Sequence, residues 1–330
     1  MNGIRLCATG SYLPDHVVTN DDFTKIVETS DEWIRTRTGI ATRHIADGDA
    51  TWSMGVKAAK RALEAGNIPP EEIDLVLATT VTGDYITPSL SCVIQHEIGA
   101  VNAACIDMNC ACAGFVYALD AAHKYLCASE VKTVLVVSAE MLSRITNYDD
   151  RTTCVLFGDG AGACILQRGE NRFASHLGAD GSGMQLMFGL YPPQKTPFNS
   201  RPPVENGISK IPMRTGMLYM EGREVYKFAT RVMPEAIEKS CAKLGLSTTD
   251  LDWIVPHQAN IRIIQTAMKH LKLPMEKAWV DIQHCGNTSS ASIPIALDEL
   301  VRSGKLKRGD IIGMAGFGAG LVYAGAVFEY

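Results

Sequence analysis

Glu72-Ile73-Asp74-Leu75-Val76-Leu77-Ala78-Thr79 follows the run Ala58-Ala59-Lys60-Arg61-Ala62-Leu63 and a break at Gly66, so residues 58–80 read as helix, turn, strand. Residues 236–258 repeat the pattern: a helix, a break at Gly245, then Asp250-Leu251-Asp252-Trp253-Ile254-Val255-Pro256-His257. Ile73-Asp74-Leu75 lies 178 residues before Leu251-Asp252-Trp253, and Ala118-Leu119-Asp120 lies 178 residues before Ala296-Leu297-Asp298. Chance α/β patterning produces one such match more easily than two at a single offset. The chain therefore reads as duplicated halves, residues 1–170 and 171–330, each with strands alternating with helices in a layered α/β architecture.

The repeat gives meaning to the loops before the central helices. In the first half that loop is Ile106-Asp107-Met108-Asn109-Cys110-Ala111-Cys112-Ala113-Gly114-Phe115. The run from Ala113 to Cys127 has only Asp120, His123 and Lys124 as charged or titratable side chains, so it reads as a helix buried nearly all round. Cys112 falls in its first turn, where unpaired N–H groups and the positive end of the helix dipole favour a thiolate. Inert packing is the ordinary fate of a free cysteine. In the second half the equivalent loop is Cys285-Gly286-Asn287-Thr288-Ser289-Ser290. Related halves would face these two loops across a pseudo-twofold axis. His257 ends the strand Trp253-Ile254-Val255, at the kind of strand end where α/β sheets concentrate chemistry. Cys112, His257 and Asn287 are expected neighbours.

Composition bounds the setting. The chain has 330 residues, 46% hydrophobic and 20% charged, as in ordinary soluble proteins. No apolar stretch approaches the roughly 18–20 residues that span a bilayer, and Met1 to Cys7 lacks a signal-peptide core. A cytoplasmic protein with reduced thiols and no membrane association is expected. The ten cysteines show no C-x-x-C spacing, which argues against both a zinc site and a disulfide framework, so no metal is expected. A net charge of −5 gives no reason to expect nucleic acid as a partner.

Other motifs have two readings. His257, in Pro256-His257-Gln258-Ala259-Asn260, is either a satisfied structural group or a site residue, and Asn287 alone is ordinary turn chemistry. Gly316-Phe317-Gly318-Ala319-Gly320, after the apolar strand Ile311 to Met314, is either a tight strand connection or a backbone able to point N–H groups at an oxyanion. Phe157-Gly158-Asp159-Gly160-Ala161-Gly162 imitates a dinucleotide fingerprint, but Ala163-Cys164-Ile165-Leu166 after it is a strand where the fingerprint needs a helix. It reads as a hairpin turn, and nicotinamide dinucleotide binding is rejected.

Gly10-Ser11-Tyr12-Leu13-Pro14, Thr29 to Ile34, Thr36 to Ile40, the Cys112 loop, Phe157 to Gly162, Pro256 to Asn260, Gly286 to Ser289 and the terminal Gly-rich loop stand in the order found in the β-ketoacyl-acyl carrier protein synthase III family. The chain resembles that family from residue 3 to its end. The resemblance implies the α/β thiolase fold, with duplicated halves in five layers α-β-α-β-α, and a homodimer. It also implies a decarboxylating Claisen condensation of an acyl-CoA primer with malonyl-acyl carrier protein, giving 3-oxoacyl-acyl carrier protein, CoA and CO2. CoA is then substrate, and no cofactor is expected.

By the same resemblance Cys112 matches the acylated nucleophile, and His257 and Asn287 the pair that promotes malonyl decarboxylation. Elongating synthases use a second His where Asn287 stands. The backbone N–H groups of Cys112 and Ala319 match an oxyanion hole; Ala319 replaces a Gly of some relatives and keeps the N–H. Trp33 and Arg151 match residues that sandwich the CoA adenine, Arg37 one that meets its phosphates, and Asn260 belongs with them. Gln258, Ala259, Asn260, Ile261 and Arg262, with Lys269 beyond, resemble the carrier-protein contact region, where a basic face would steer an acidic partner. Phe317 and Thr87 are assigned to the acyl pocket. Thr87 falls where some relatives carry a Phe that reaches across the dimer, so a smaller side chain predicts a deeper channel and a longer or branched primer.

Three other classes fit less well. Cys, His and Asn occur in that order in papain-like hydrolases, but their Cys signature is absent. A related condensing enzyme of secondary metabolism would keep the triad and change the acceptor. A non-catalytic protein of the same fold would keep an inert Cys112.

Overall fold

The computed structural model describes residues 3–190, 197–198, 206–208, 210–211 and 216–330. The first half contains β1 Gly3–Tyr12, β2 Val17–Thr19, α1 Asn20–Phe23, α2 Asp31–Thr38, β3 Thr42–His44 and α3 Thr51–Gly66. It continues with β4 Leu75–Thr79, α4 Leu90–Ile98, β5 Ala104–Met108, α5 Gly114–Ala128, β6 Thr133–Met141 and β7 Asp159–Gly169. The second contains β8 Phe173–Ala179, β9 Met187–Gly189, β10 Leu218–Met220, α6 Gly222–Lys243 and β11 Trp253–Pro256. After these come α7 Ile261–Leu271, α8 Ile282–Cys285, α9 Ser292–Arg302, β12 Ile311–Gly318 and β13 Val322–Glu329.

Two sheets repeat one topology. The first runs β1-β7-β6-β4-β5 and the second β11-β12-β13-β8. In each, a parallel pair (β4 with β6, β11 with β12) continues into antiparallel partners (β7 then β1, β13 then β8). The parallel bridge Ile254–Ala278 stands where β5 pairs with β4 in the first sheet. α3 and α4 cover the outer face of the first sheet, α6 and α7 that of the second, and α5 and α9 lie between the sheets. The result is the thiolase fold, five layers α-β-α-β-α.

Burial on both faces explains the continuous apolar strands. On β4, Leu75 and Leu77 enter the central core with α5 and α9, while Val76 and Ala78 face α3 and α4. Phe115, on α5, is fully buried in that central core, and truncating it to Ala would cost about 3–5 kcal/mol. The helix is less enclosed than its sequence predicts: Lys124, Tyr125 and Ala128 in its last turns are exposed.

Phe157 to Gly162 is not a hairpin turn. From Asp159 onward these residues belong to β7, and the connection from β6 is the long segment 142–158. The glycines serve close packing: a Cβ on Gly162 would stand 2.7 Å from Pro294 of α9, and one on Gly158 would stand 2.5 Å from the Cys285 carbonyl. No helix in the described residues is long and apolar enough to cross a membrane.

Candidate active site

A cavity of about 520 Å³ opens between the loops at the ends of the two sheets. Cys112, His257, Asn287, Phe317 and Ala319 all line it, as do Trp33, Arg37, Ala259 and Asn260. Residues remote in sequence thus converge as the duplicated loops imply.

Cys112 occupies a one-turn 3-10 helix, Ala111–Ala113, directly before α5. Ala111 holds φ at 45°, and the turn fits because β12 passes it closely. A Cβ on Gly318 would lie 2.6 Å from the Cys112 nitrogen, and one on Gly316 would lie 3.1 Å from its carbonyl oxygen. The same passage brings Ala319 to the cavity wall.

The expected thiolate is not the resting form. Burial pushes the Cys112 thiol up to about 12, against its hydrogen bond with Ser289, which lowers it, and the charge of Glu140 raises it further. Desolvation outweighs the hydrogen bonds that favour the thiolate. The thiol instead lies 3.3 Å from Ser289 Oγ.

His257 is 1% exposed, and burial lowers its pKa to about 3, so the ring is neutral. Its Nδ1 lies 2.6 Å from Ser292 Oγ, which also accepts the Gln258 N–H at 3.4 Å. A hydroxyl that accepts from Gln258 can give its own proton to Nδ1, which leaves the ring proton on Nε2, the nitrogen available to a ligand. Phe317 packs edge-on against the imidazole at 5.3 Å and fixes its plane.

Asn287 is oriented by its neighbour. The Ser289 N–H donates to Asn287 Oδ1 at 2.9 Å, so the amide turns its NH2 group outward as a donor. Backbone bonds from Asn287 N–H to the Leu156 carbonyl and from Gly158 N–H to the Asn287 carbonyl anchor the loop. The cavity therefore presents two neutral N–H donors beside a thiol, a set suited to a developing oxyanion or enolate.

Arg37 and Arg151 both lie over the Trp33 ring, at 4.6 and 5.2 Å from its centroid. Arg151 also donates to the Glu28 carbonyl at 2.8 Å. This cation–aromatic stack at the cavity mouth can take a planar group. Asn260 caps α7 and donates to the Arg37 carbonyl at 2.9 Å, which ties α7 to α2.

Two assignments change in character. Gln258 is fully buried, with its amide bonded to the Pro256 and Trp279 carbonyls and accepting from Asp281 and Ile282, so it braces the site and cannot meet a carrier protein. Arg262 is exposed, but its guanidinium donates to the Thr36 carbonyl at 2.8 Å; Lys269 is exposed on the same helix. Thr87 sits on an exposed loop outside this cavity.

Glu140 is a site residue that sequence reasoning missed. It is the last residue but one of β6, is completely buried, and accepts hydrogen bonds from Ser289 and Ser290. A lone carboxylate closing the apolar strand Thr133 to Met141 was the available signal. Among the described residues, His284, Cys285 and Glu299 gather possible metal-ligand atoms within 4.8 Å, but His284 and Glu299 are already paired at 2.7 Å.

Residues 106–181 match the 3-oxoacyl-[acyl-carrier-protein] synthase III family, and residues 241–330 match its C-terminal family. A β-ketoacyl-[acyl-carrier-protein] synthase III of Clostridium acetobutylicum is 46% identical over 100% of this chain and 99% of its own length. The chain belongs to the β-ketoacyl-[acyl-carrier-protein] synthase III family. The Xanthomonas campestris pv. campestris relative is 46% identical, covering 99% of this chain and 98% of its own. The crystal structure of the Aquifex aeolicus synthase III superposes with a TM-score of 0.90 at 41% identity, covering 99% of this chain and 100% of that one. A priming β-ketosynthase from the R1128 polyketide pathway gives 0.87 at 37%, covering 99% of this chain and 96% of that one.

Proposed function

We propose that this synthase initiates fatty-acid synthesis by condensing an acyl-CoA primer with malonyl-acyl carrier protein. The observation that carries the reading is the convergence of Cys112, a neutral His257 and an Asn287 whose amide donor is fixed outward. The Cys112 sulfur attacks the acyl-CoA carbonyl, the N–H groups of Cys112 and Ala319 hold the oxyanion, and CoA leaves. Malonyl-acyl carrier protein then places its thioester oxygen on His257 and Asn287. Loss of CO2 leaves an enolate there, whose carbon attacks the acyl-Cys112 carbonyl and releases the product. A single lost donor of this kind costs roughly 10²–10³ in rate.

In this reading Trp33, Arg37 and Arg151 receive the nucleotide end of CoA, and the exposed residues of α7, Arg262 and Lys269, meet the acidic carrier. The working form is a homodimer. Its support is the set of large apolar side chains left bare in one chain, Ile86 at 89%, Val101 at 71% and Tyr85 at 56% exposed. Thr87 lies among them, so the partner's loop would border the acyl channel, and a primer longer or more branched than acetyl is expected. Enzyme supplied with acyl-CoAs of increasing length and malonyl-acyl carrier protein should yield 3-oxoacyl-carrier protein and CO2 by mass spectrometry. Products only with another acceptor would favour a specialised pathway, a reading supported by the likeness to the polyketide priming enzyme. A sharp preference for acetyl-CoA would overturn the channel reading.

A further inference from the structure

The Cys112 thiol, desolvated at the cavity wall, needs a base, and His257 is a poor one. Its Nδ1 is engaged by Ser292, and burial holds its pKa near 3. The wall behind the sulfur holds a different group. Glu140 Oε2 accepts from the Val81 N–H at 3.0 Å and from the Thr82 and Thr80 hydroxyls at 2.7 and 3.2 Å. Its Oε1 accepts from Ser290 at 2.7 Å and Ser289 at 3.1 Å. These donors carry no charge, and no ion pair among the described residues includes Glu140. Its titratable neighbour in this chain of contacts is Cys112, whose thiol its charge raises.

The directions of these bonds follow from chemistry. An ionised carboxylate only accepts, so Ser289 gives its proton to Glu140 and its oxygen is left to accept the Cys112 S–H. We propose that Glu140 is the proton acceptor for Cys112, acting through the Ser289 hydroxyl, a relay set by distances of 3.3 and 3.1 Å. The Cys112 proton passes to Ser289 Oγ as the Ser289 proton passes to Glu140 Oε1. Cys112 becomes a thiolate and Glu140 a neutral acid, so one negative charge moves and none is added to the buried site. The thiolate pair forms the new C–S bond, the C–S bond to CoA breaks, and the CoA thiolate leaves to take its proton from solvent. When condensation releases Cys112 as a thiolate, the Glu140 proton returns by the same path. Burial also raises the Glu140 carboxyl above the ordinary carboxylate range, which makes it a stronger acceptor. The proposal rests on Cys112 being the nucleophile.

The test compares wild type, Glu140→Gln, Ser289→Ala and the double variant, with CoA binding and thermal melting as controls of folding. Two rates are measured from pH 6 to 10: alkylation of Cys112 by iodoacetamide, which needs no substrate, and single-turnover acylation by an acyl-CoA. At pH 7 each single variant should be about 10–10²-fold slower in both, at the lower end of what a general base supplies. The wild-type alkylation profile should be flat, whereas the variants should speed up with pH and close the deficit. The double variant should be no slower than Glu140→Gln alone, since one relay is broken once. If Glu140→Gln does not fold, Ser289→Ala carries the test. Folded variants with wild-type rates and profiles would overturn the relay. If wild type alkylates by the relay yet no acyl-CoA acylates it, the synthase reading fails and the relay stands.

Discussion

Ala111 and Ser289 stand 178 residues apart and adopt the same rare left-handed backbone, with φ of 45° and 52°. Each opens a one-turn 3-10 helix, Ala111–Ala113 and Ser289–Ala291, leading into the central helices α5 and α9. The duplication is thus kept at single-residue register around the cavity. The residue after each is Cys112 in one half and Ser290, a donor to Glu140, in the other. The proposed nucleophile and the hydroxyl of its proposed relay come from equivalent turns. A β-branched residue tolerates this conformation poorly. Ala111→Val should lower unfolding free energy by about 2 kcal/mol in denaturant titrations and slow Cys112 acylation.

Gly318 is the second constraint on that turn. Its Cβ would stand 2.6 Å from the Cys112 nitrogen and 2.8 Å from the Ala111 Cβ. Gly318→Ala should cost about 1–3 kcal/mol by overpacking and reduce single-turnover acylation at least about tenfold, since small misplacements of a nucleophile are costly. Gly181→Ala, where a Cβ meets nothing within 4 Å, is the control and should leave both unchanged.

His257 predicts a stability slope. Its folded pKa, about 3, lies below its unfolded value of 6.5. Between those values the unfolded chain binds the proton that the buried ring refuses. This contribution is therefore fully present above about pH 6.5 and is lost as pH falls, by about 2 kcal/mol at pH 5. Denaturant titrations at pH 8 and pH 5 should show His257→Asn losing less stability than wild type over that interval. Decarboxylation should show no acidic limb near pH 6 from this residue.

The Ser289 N–H fixes which end of Asn287 faces the ligand. Asn287→Asp puts a carboxylate oxygen where the proposed mechanism has an N–H meet the enolate. Acylation by acyl-CoA should persist, while condensation with malonyl-acyl carrier protein should fall roughly 10²–10³-fold. Equal losses in the two half-reactions would contradict the division of labour.

The fold was legible because the 178-residue offset survives without insertion through the helix–strand units and the central helices. The meeting of Cys112, His257 and Asn287 in one cavity was legible because each ends or follows an element placed by that repeat. What escaped was set by the environment of each residue. The charge state of Cys112 depends on desolvation and on the nearby charge of Glu140, which no local sequence reveals. Gln258 looked like a surface polar residue because its four partners lie on segments around residues 256 and 279–282 that the fold wraps around it. The glycines of 158–162 are small because α9 and the Cys285 carbonyl approach from the other half of the chain. Glu140 was one polar letter in an apolar strand until Ser289 and Ser290 supplied its partners.

The most direct measurement is to incubate the protein with acetyl-, isobutyryl- and octanoyl-CoA separately, digest it, and map the acyl adduct among its ten cysteines, with malonyl-acyl carrier protein added in a parallel chase. An acyl group on Cys112 that leaves in the chase as 3-oxoacyl-carrier protein is the predicted result. An unacylated Cys112 with every primer, or an adduct that survives the chase, would contradict it.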